Sequence, residues 1–81
     1  MAAAAGSPSH LDLRGTPCPL NFIRTRLTLE SVPAGQVLEV LLDRGEPEQM
    51  VATGIAAAGH GVTVEPLDGS AVRLRILCRH G

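Results

Sequence analysis

Cys18 is the residue whose surroundings most clearly predict chemistry. It lies between Pro17 and Pro19, and an amphipathic run begins directly after it. Proline has its φ fixed near the helical value, so Pro19 suits the first position of a helix. A residue before proline is kept out of the helical region, so we expect Cys18 to be the extended N-cap residue. The pattern therefore predicts a sulfur atom at the N-terminus of a helix.

The backbone at this position is expected to favour the thiolate form of the sulfur. The first N–H groups of a helix have no partner within it, and here they belong to Leu20 and Asn21. Such donors, together with the positive end of the helix, activate cysteines at helix N-termini. The sequence thus predicts a nucleophilic or sulfur-carrying thiol at Cys18. The alternative is a buried, unreactive side chain, because free cysteines are often buried.

Four other polar residues are candidates for supporting this thiol. Asn21 stands at the third helical position, where its amide either reaches back to the cap or is an ordinary exposed group. Arg26, with Arg24 on the same helix, is a candidate for attracting an acidic partner or an anionic sulfur, and the alternative is a solvated face. Asp43 ends a strand just before a glycine-containing loop, where functional residues often collect, and the alternative is a turn or cap residue.

The second cysteine, Cys78, is predicted to be structural. It continues an alternating strand pattern in phase with Val72, Leu74 and Ile76, which places it on the core-facing side. A resolving thiol that pairs with Cys18 is the competing interpretation. Cys78-Arg79-His80 has no second half with zinc-ligand spacing, so neither a metal site nor any other cofactor is expected.

The elements that position these residues follow the order βαβαββ. Leu11 and Leu13 indicate a short first strand, and a helix is expected from Pro19 to about Ser31. Further strands are predicted at residues 37–42, 62–65 and 71–78, with a second helix from about residue 47 to residue 58. We expect an α/β (α+β) two-layer sandwich, in which two helices cover one face of a four-stranded mixed sheet. The first two strands should be parallel and joined by a right-handed crossover.

Apolar spacing predicts which helix faces meet the sheet. In the first helix, Leu20, Ile23 and Leu27 form one stripe, while Phe22 and Leu29 form a second patch on the opposite side. We expect the stripe to face the core and the second patch to be covered by the N-terminal tail or by a partner. In the second helix the corresponding stripe consists of three residues, Val51, Ile55 and Ala58.

Composition limits the classes of function that remain. The 81 residues suit one domain over residues 10–81, preceded by a flexible tail over residues 1–9. One aromatic residue and a net charge of −1 argue against a nucleic-acid binder, so no DNA partner is expected. The absence of lysine excludes Schiff-base catalysis. Neither a signal peptide nor a membrane-spanning stretch is apparent, so a cytoplasmic protein with free thiols and no membrane partner is expected.

Before the first predicted helix stands the segment Asp12-Leu13-Arg14-Gly15-Thr16-Pro17-Cys18-Pro19. With this segment, the chain resembles the TusA/SirA/YedF family of small sulfur-carrier proteins. The resemblance covers roughly residues 10–78 and includes the turn at Pro33 and the loop before Pro47. The family pattern is Cys-Pro-x-Pro, and this chain has Asn21 where the second proline would stand.

The resemblance implies a two-layer βαβαββ fold and a cysteine that carries sulfane sulfur as a persulfide. The donor would be a cysteine desulfurase or a rhodanese-like protein, and the acceptor a protein of tRNA thiolation, molybdenum-cofactor synthesis or sulfur metabolism. Any link to tRNA would be indirect, and we expect a monomer. By resemblance, Cys18 is the reactive residue, Pro19 matches the motif, and Arg26 stands where relatives carry a basic residue used in contacts.

Two other classes of function remain open from the residues. A non-catalytic regulatory or adaptor module would bind protein or RNA through the Phe22/Leu29 patch or through the arginine stripe of the last strand, Arg73, Arg75 and Arg79. A thiol redox sensor would instead use Cys18, with Cys78 as its partner. Both remain hypotheses beside the sulfur carrier.

Overall fold

The computed structural model of the chain describes residues 10–79 and contains two helices and one four-stranded sheet. The tail predicted at residues 1–9 lies outside the described residues. The element order is the predicted βαβαββ. In chain order the elements are β1 (His10–Asp12), α1 (Leu20–Leu29), β2 (Val37–Asp43), α2 (Glu46–Ala57), β3 (Gly61–Pro66) and β4 (Ala71–Leu77).

The sheet has the strand order β1-β2-β4-β3 and is mixed. β1 and β2 are parallel, as predicted, with Leu11 opposite Val40. β4 runs antiparallel to β2 and to β3, and its Leu74 stands opposite Val40 on one side and Val64 on the other. Because β1 and β2 are parallel, their C-terminal ends lie at the same edge of the sheet, and Asp43 therefore lies near the loop that follows β1.

One face of the sheet forms the core with both helices, which confirms the predicted two-layer sandwich. The inward residues of β2 and β4 are almost fully buried, and Cys78 shares their face, as the alternation of the last strand predicted for β4 and Cys78. These residues are Leu38, Val40, Leu42, Val72, Leu74, Ile76 and Cys78. Arg73 and Arg75 point to the opposite face, where they pair with Glu65 at 2.9 Å and Glu39 at 3.5 Å. The arginine stripe is thus mostly the solvated side of the sheet.

The helix α2 follows its predicted pattern except at its end. Val51 and Ile55 are buried against the sheet. The prediction that Ala58 extends this buried stripe is wrong, because Ala58 is the C-cap residue and is exposed. The helix ends there because Gly59 adopts a positive φ of 102°, which reverses the chain before another apolar residue can reach the core.

The predicted orientation of α1 is wrong. Leu20, Ile23 and Leu27 do lie on one face, but they are exposed to 47%, 44% and 55%. The buried face carries Asn21, Thr25 and Leu29 instead, all at most 2% exposed. Two of these residues are polar, and their burial costs little because each makes hydrogen bonds within the helix.

The second patch predicted on α1 is consequently part of the interior. Leu29 is buried, and the half-buried Phe22 packs against the core. Phe22 also marks the contact between the helices, since a Cβ added at Gly54 would lie 2.5 Å from its ring. The glycine therefore permits α1 and α2 to approach closely at this point.

Candidate functional site

Cys18 lies in the turn between β1 and α1, and its side chain is a free, exposed thiol. The peptide bond between Cys18 and Pro19 is cis. The prediction that Cys18 is the N-cap and Pro19 the first helical residue is wrong by one position. Pro19 is the N-cap with ψ of 12°, outside the helical range, so α1 begins at Leu20.

The expected backbone donors do not reach the sulfur. The N–H of Asn21 donates to the carbonyl of Pro17 at 3.1 Å, and none of the hydrogen bonds at the start of α1 joins the Leu20 N–H to Cys18. The predicted pair of amide donors is therefore wrong, because the tight turn from Pro17 into the helix uses one of these groups itself.

The side chain of Asn21 supplies the donor instead. Its Nδ2 donates to the Sγ of Cys18 at 3.3 Å, so the amide does reach back toward the cap. Asn21 is 0% exposed, and the alternative of an ordinary exposed polar residue is wrong. The sulfur of an exposed residue thus accepts a hydrogen bond from the side chain of a fully buried one.

One further hydrogen bond fixes the side-chain amide of Asn21, and another engages only its backbone carbonyl. Its Oδ1 accepts from the N–H of Phe22 at 2.7 Å, and its carbonyl accepts from the Oγ1 of Thr25 at 2.9 Å. Thr25 is also fully buried and was missed in the sequence. The signal for it was the pairing of two polar residues four positions apart, which places both on one helix face.

Asp43 supports the loop before the cysteine and does not contact the sulfur. Its Oδ2 accepts a hydrogen bond from the N–H of Gly15 at 2.7 Å. Gly15 has a positive φ of 77°, which few side chains tolerate. The sequence singled out Asp43 but gave no signal for this partner, because the contact depends on β1 and β2 being direct neighbours in the sheet, whereas the sequence predicted only their parallel orientation.

An ion pair stabilises the same loop at its start. Arg14 donates to Asp12 through its backbone N–H, its Nε and one terminal nitrogen. The side-chain hydrogen bonds from Arg14 lower the pKa of Asp12 from 3.8 to about 2. The same contact raises the pKa of Arg14.

The structure does not bring Arg26 to the sulfur. Arg26 lies in the last turn of α1, about 9 Å along the helix axis from Leu20. Arg24 and Arg26 are exposed, and neither has a carboxylate partner among residues 10–79. Around the helix they flank the exposed face formed by Leu20, Ile23 and Leu27, which we call the apolar stripe.

Cys78 is remote from Cys18 in the fold. Its Sγ lies 3.3 Å from the carbonyl oxygen of Val32 and 3.7 Å from that of Leu29, at the C-terminal end of α1. Burial raises the pKa of the Cys78 thiol. The ten-residue helix, about 15 Å long, separates the two sulfurs, which is far beyond disulfide geometry.

The described residues form no metal site beside Cys18, and two depressions in the surface lie away from it. Residues 10–79 contain no cluster of three or more His, Cys, Asp or Glu side chains suited to a metal ion. Two shallow depressions lie on the open face of the sheet, one beside His10 and Glu39 and the other beside Thr63 and Arg75. Within the described part of the chain, no helix is long and apolar enough to cross a membrane.

Comparisons with known proteins identify a relative of similar sequence and a solved structure of similar fold. A relative from Archaeoglobus fulgidus, named "Putative sulfur carrier protein", is 38% identical over 52 residues. That match covers 64% of this chain and 59% of the relative, so the chain spans well under two thirds of its length. The crystal structure of a SirA-like protein from Desulfitobacterium hafniense superimposes with a TM-score of 0.77 at 25% identity, covering 88% of this chain and 97% of that one.

The sequence model of a whole family also matches most of the chain. The family is described as Sulfurtransferase TusA, and its model matches residues 9–77, which include the cysteine turn, both helices and all four strands. The fold is shared with a SirA-like protein, and the turn before α1 exposes a free cysteine. Since the family model matches most of its length, the chain belongs to the TusA sulfurtransferase family.

Proposed function

We propose that this protein is a sulfur carrier that takes up sulfane sulfur on Cys18 as a persulfide and passes it to an acceptor. The observation that carries the proposal is the exposed Sγ of Cys18 held by the buried amide of Asn21. Exposure lets a second macromolecule reach the sulfur. The hydrogen bond stabilises negative charge on it, which a nucleophilic thiol requires.

Loading is a transfer between two sulfur atoms. The Cys18 thiolate attacks the outer sulfur of a donor persulfide, a new S–S bond forms, and the bond within the donor breaks. The electron pair leaves on the donor thiolate, and Cys18 becomes Cys18–S–SH. The reaction needs no external oxidant, because the sulfane sulfur arrives already at the required oxidation state.

The surface around Cys18 favours delivery by partner proteins over a free small substrate. Cys18 is exposed in a turn, and the two depressions described above lie on the opposite side of the sheet. Small-molecule sites are concave and bury most of their ligand, which this turn does not. A donor or acceptor that carries its own reactive sulfur on a protein surface fits this geometry.

The apolar stripe is the surface on which we place the sulfur-donor protein. It starts at Leu20, two residues from the reactive sulfur, and continues through Ile23 to Leu27. Arg24 and Arg26 border it without carboxylate partners of their own among residues 10–79. The complementary partner surface is an apolar patch surrounded by carboxylates, and its reactive sulfur lies beyond the Leu20 end.

The two other hypotheses have less support. The Phe22/Leu29 patch proposed for an adaptor is not a surface, because Leu29 is 2% exposed and Phe22 is half-buried. A sensor disulfide between Cys18 and Cys78 would require α1 to detach from the sheet, since the cysteines lie at its opposite ends. Oxidation of Cys18 with a thiol of another molecule remains compatible with the geometry.

Sulfur transfer from a cysteine desulfurase tests the proposal. The protein is incubated with the desulfurase and L-cysteine, and its intact mass is measured without reductant. We expect a gain of one sulfur atom, absent in Cys18→Ser and retained in Cys78→Ser. If neither this donor, a rhodanese-like protein nor inorganic polysulfide produces a Cys18-dependent gain, the proposal is wrong.

A further inference from the structure

The side-chain amide of Asn21 is held against Sγ of Cys18, which would be the inner of the two sulfur atoms in a Cys18 persulfide. This position affects how readily the outer sulfur is released. Its Nδ2 donates to the Sγ of Cys18 at 3.3 Å. The orientation is defined by the network, because the N–H of Phe22 donates to the other side-chain atom at 2.7 Å and that atom must therefore be the oxygen. With Asn21 fully buried, the amide cannot swing outward to follow a second sulfur.

We propose that Asn21 is a positioning residue that speeds the release of sulfur from Cys18 by stabilising the thiolate that remains. This inference rests on the proposed persulfide chemistry. In the free thiolate the negative charge resides on Sγ, which is the atom that Asn21 contacts. In the persulfide the charge resides on the outer sulfur, one bond farther from the amide. The hydrogen bond therefore stabilises the unloaded form more than the loaded form.

The delivery step shows where this difference acts. An acceptor thiolate attacks the outer sulfur of Cys18–S–SH and forms a new S–S bond, while the bond between that sulfur and Sγ breaks. The electron pair leaves on Sγ, and the proton stays on the transferred sulfur. Sulfur exchange is faster when the leaving thiolate is better stabilised, so the amide accelerates this step. The same hydrogen bond disfavours long storage of the persulfide.

Cyanolysis of the loaded protein measures the step directly. Wild type, Asn21→Leu and Asn21→Ala are loaded with excess inorganic polysulfide, freed of reagent and mixed with cyanide. Cyanide attacks the outer sulfur and forms a C–S bond, while the bond from that sulfur to Sγ breaks and its electron pair leaves on Sγ. The products are thiocyanate and the Cys18 thiolate, and the persulfide proton passes to the buffer, so the rate reports the leaving group. We expect release to be slower by about tenfold in Asn21→Leu, because the donor is replaced by an apolar group of similar size. Asn21→Ala should be slower by a smaller factor, since water can reach the sulfur.

Thr25→Val is the matched control. Thr25 lies on the same buried face of α1 and donates to the carbonyl of Asn21, but it does not contact the sulfur. Like the Asn21 variants, Thr25→Val loses a buried side-chain hydrogen bond, but not the one to the sulfur. It therefore distinguishes a general loss of stability from a direct effect on the rate of sulfur release. Its release rate, measured on the folded protein, should equal that of wild type. Circular dichroism establishes the folded fraction for each variant, and Asn21→Ala replaces Asn21→Leu if the latter does not fold.

The outcomes separate this inference from the proposed function. Slower release in the Asn21 variants, with Thr25→Val unchanged, supports both. Equal release rates in wild type and the Asn21 variants overturn the role of Asn21 and leave the carrier function standing. If wild type takes up no sulfur on Cys18, the carrier function fails and this inference fails with it.

Discussion

The carboxylate of Asp43 accepts a hydrogen bond of 2.7 Å from the backbone N–H of Gly15, across 28 residues of the chain. The two groups meet because β1 and β2 are parallel and end at the same edge of the sheet. Gly15 lies three residues before Cys18, so this contact fixes the start of the loop whose far end presents the sulfur. The fold thus positions the reactive residue from both sides: Asp43 before it and Asn21 after it.

Replacing Asp43 should destabilise the fold and loosen the loop. Asp43→Ala leaves the Gly15 N–H without its acceptor, and we expect the free energy of unfolding to fall by about 1–2 kcal/mol. Asp43→Asn keeps a side-chain oxygen in the same place and should lose about half as much. Urea unfolding of the three proteins measures the difference. Equal stability of the alanine and asparagine variants would show that the contact contributes nothing.

Gly54→Ala should destabilise the packing of α1 against α2, although alanine itself favours the helical conformation. Alanine gains up to about 1 kcal/mol over glycine within a helix. The added Cβ, however, would lie 2.5 Å from the Phe22 ring, and overpacking costs roughly 1–3 kcal/mol. We therefore expect Gly54→Ala to lower the melting temperature.

Two further variants test this explanation of Gly54. Thr53→Ala lies on the exposed side of α2 and should be neutral or slightly stabilising. Phe22→Leu removes the ring, so Gly54→Ala should cost less in that background than in wild type. If the cost of Gly54→Ala is the same in both backgrounds, the contact with Phe22 is not its cause.

The ion pair of Asp12 with Arg14 predicts a dependence of stability on acid pH. The pKa of Asp12 is lowered from 3.8 to about 2 in the folded protein. A lowered pKa means that the contribution is present above pH 3.8 and is lost as the pH falls through about 2. Asp12→Asn should therefore show a shallower loss of stability over this window than wild type. Because the pair is exposed, the effect should shrink in high salt.

A charge placed on the apolar stripe should impair transfer from a protein donor. Leu27→Glu adds a carboxylate where we place an apolar contact, and we expect loading by a cysteine desulfurase to slow by about tenfold or more. Met50→Glu is the matched control, because Met50 is equally exposed at 55% but lies on α2. Initial loading rates by mass spectrometry compare the two. Equal slowing in both variants, or none in either, would contradict the assignment of the stripe.

The strands could be predicted in detail because their pattern has a period of two. In β4, arginines alternate with Val72, Leu74 and Ile76, and only one register buries the apolar set. The register also placed Cys78 in the core correctly. The parallel orientation of β1 and β2 was predicted separately, from the strand-helix-strand order of the first three elements and the crossover that it requires.

The orientation of α1 could not be read in the same way. Apolar periodicity selected Leu20, Ile23 and Leu27, yet the core-facing positions include Asn21 and Thr25. Their polar atoms are satisfied by Cys18, Phe22 and each other, and these local bonds are invisible to a hydrophobic pattern.

The mistake about α1 has a functional consequence. The buried Asn21 supplies the only donor seen on the Cys18 sulfur among residues 10–79, and the exposed apolar residues become a candidate docking surface. The Asp43–Gly15 contact was likewise beyond the sequence, because it joins residues that become neighbours only through the strand order.

Locating the transferred sulfur within the chain tests the carrier function most directly. After loading with a cysteine desulfurase and L-cysteine, the native protein is alkylated, unfolded and cleaved after arginine, which places Cys18 in the peptide Gly15–Arg24 and Cys78 in the peptide Ile76–Arg79. We expect one extra sulfur on the alkylated Cys18 peptide and none on the Cys78 peptide, since Cys78 is buried. An extra sulfur on Cys78, or on neither peptide, would contradict the assignment of Cys18 as the carrier.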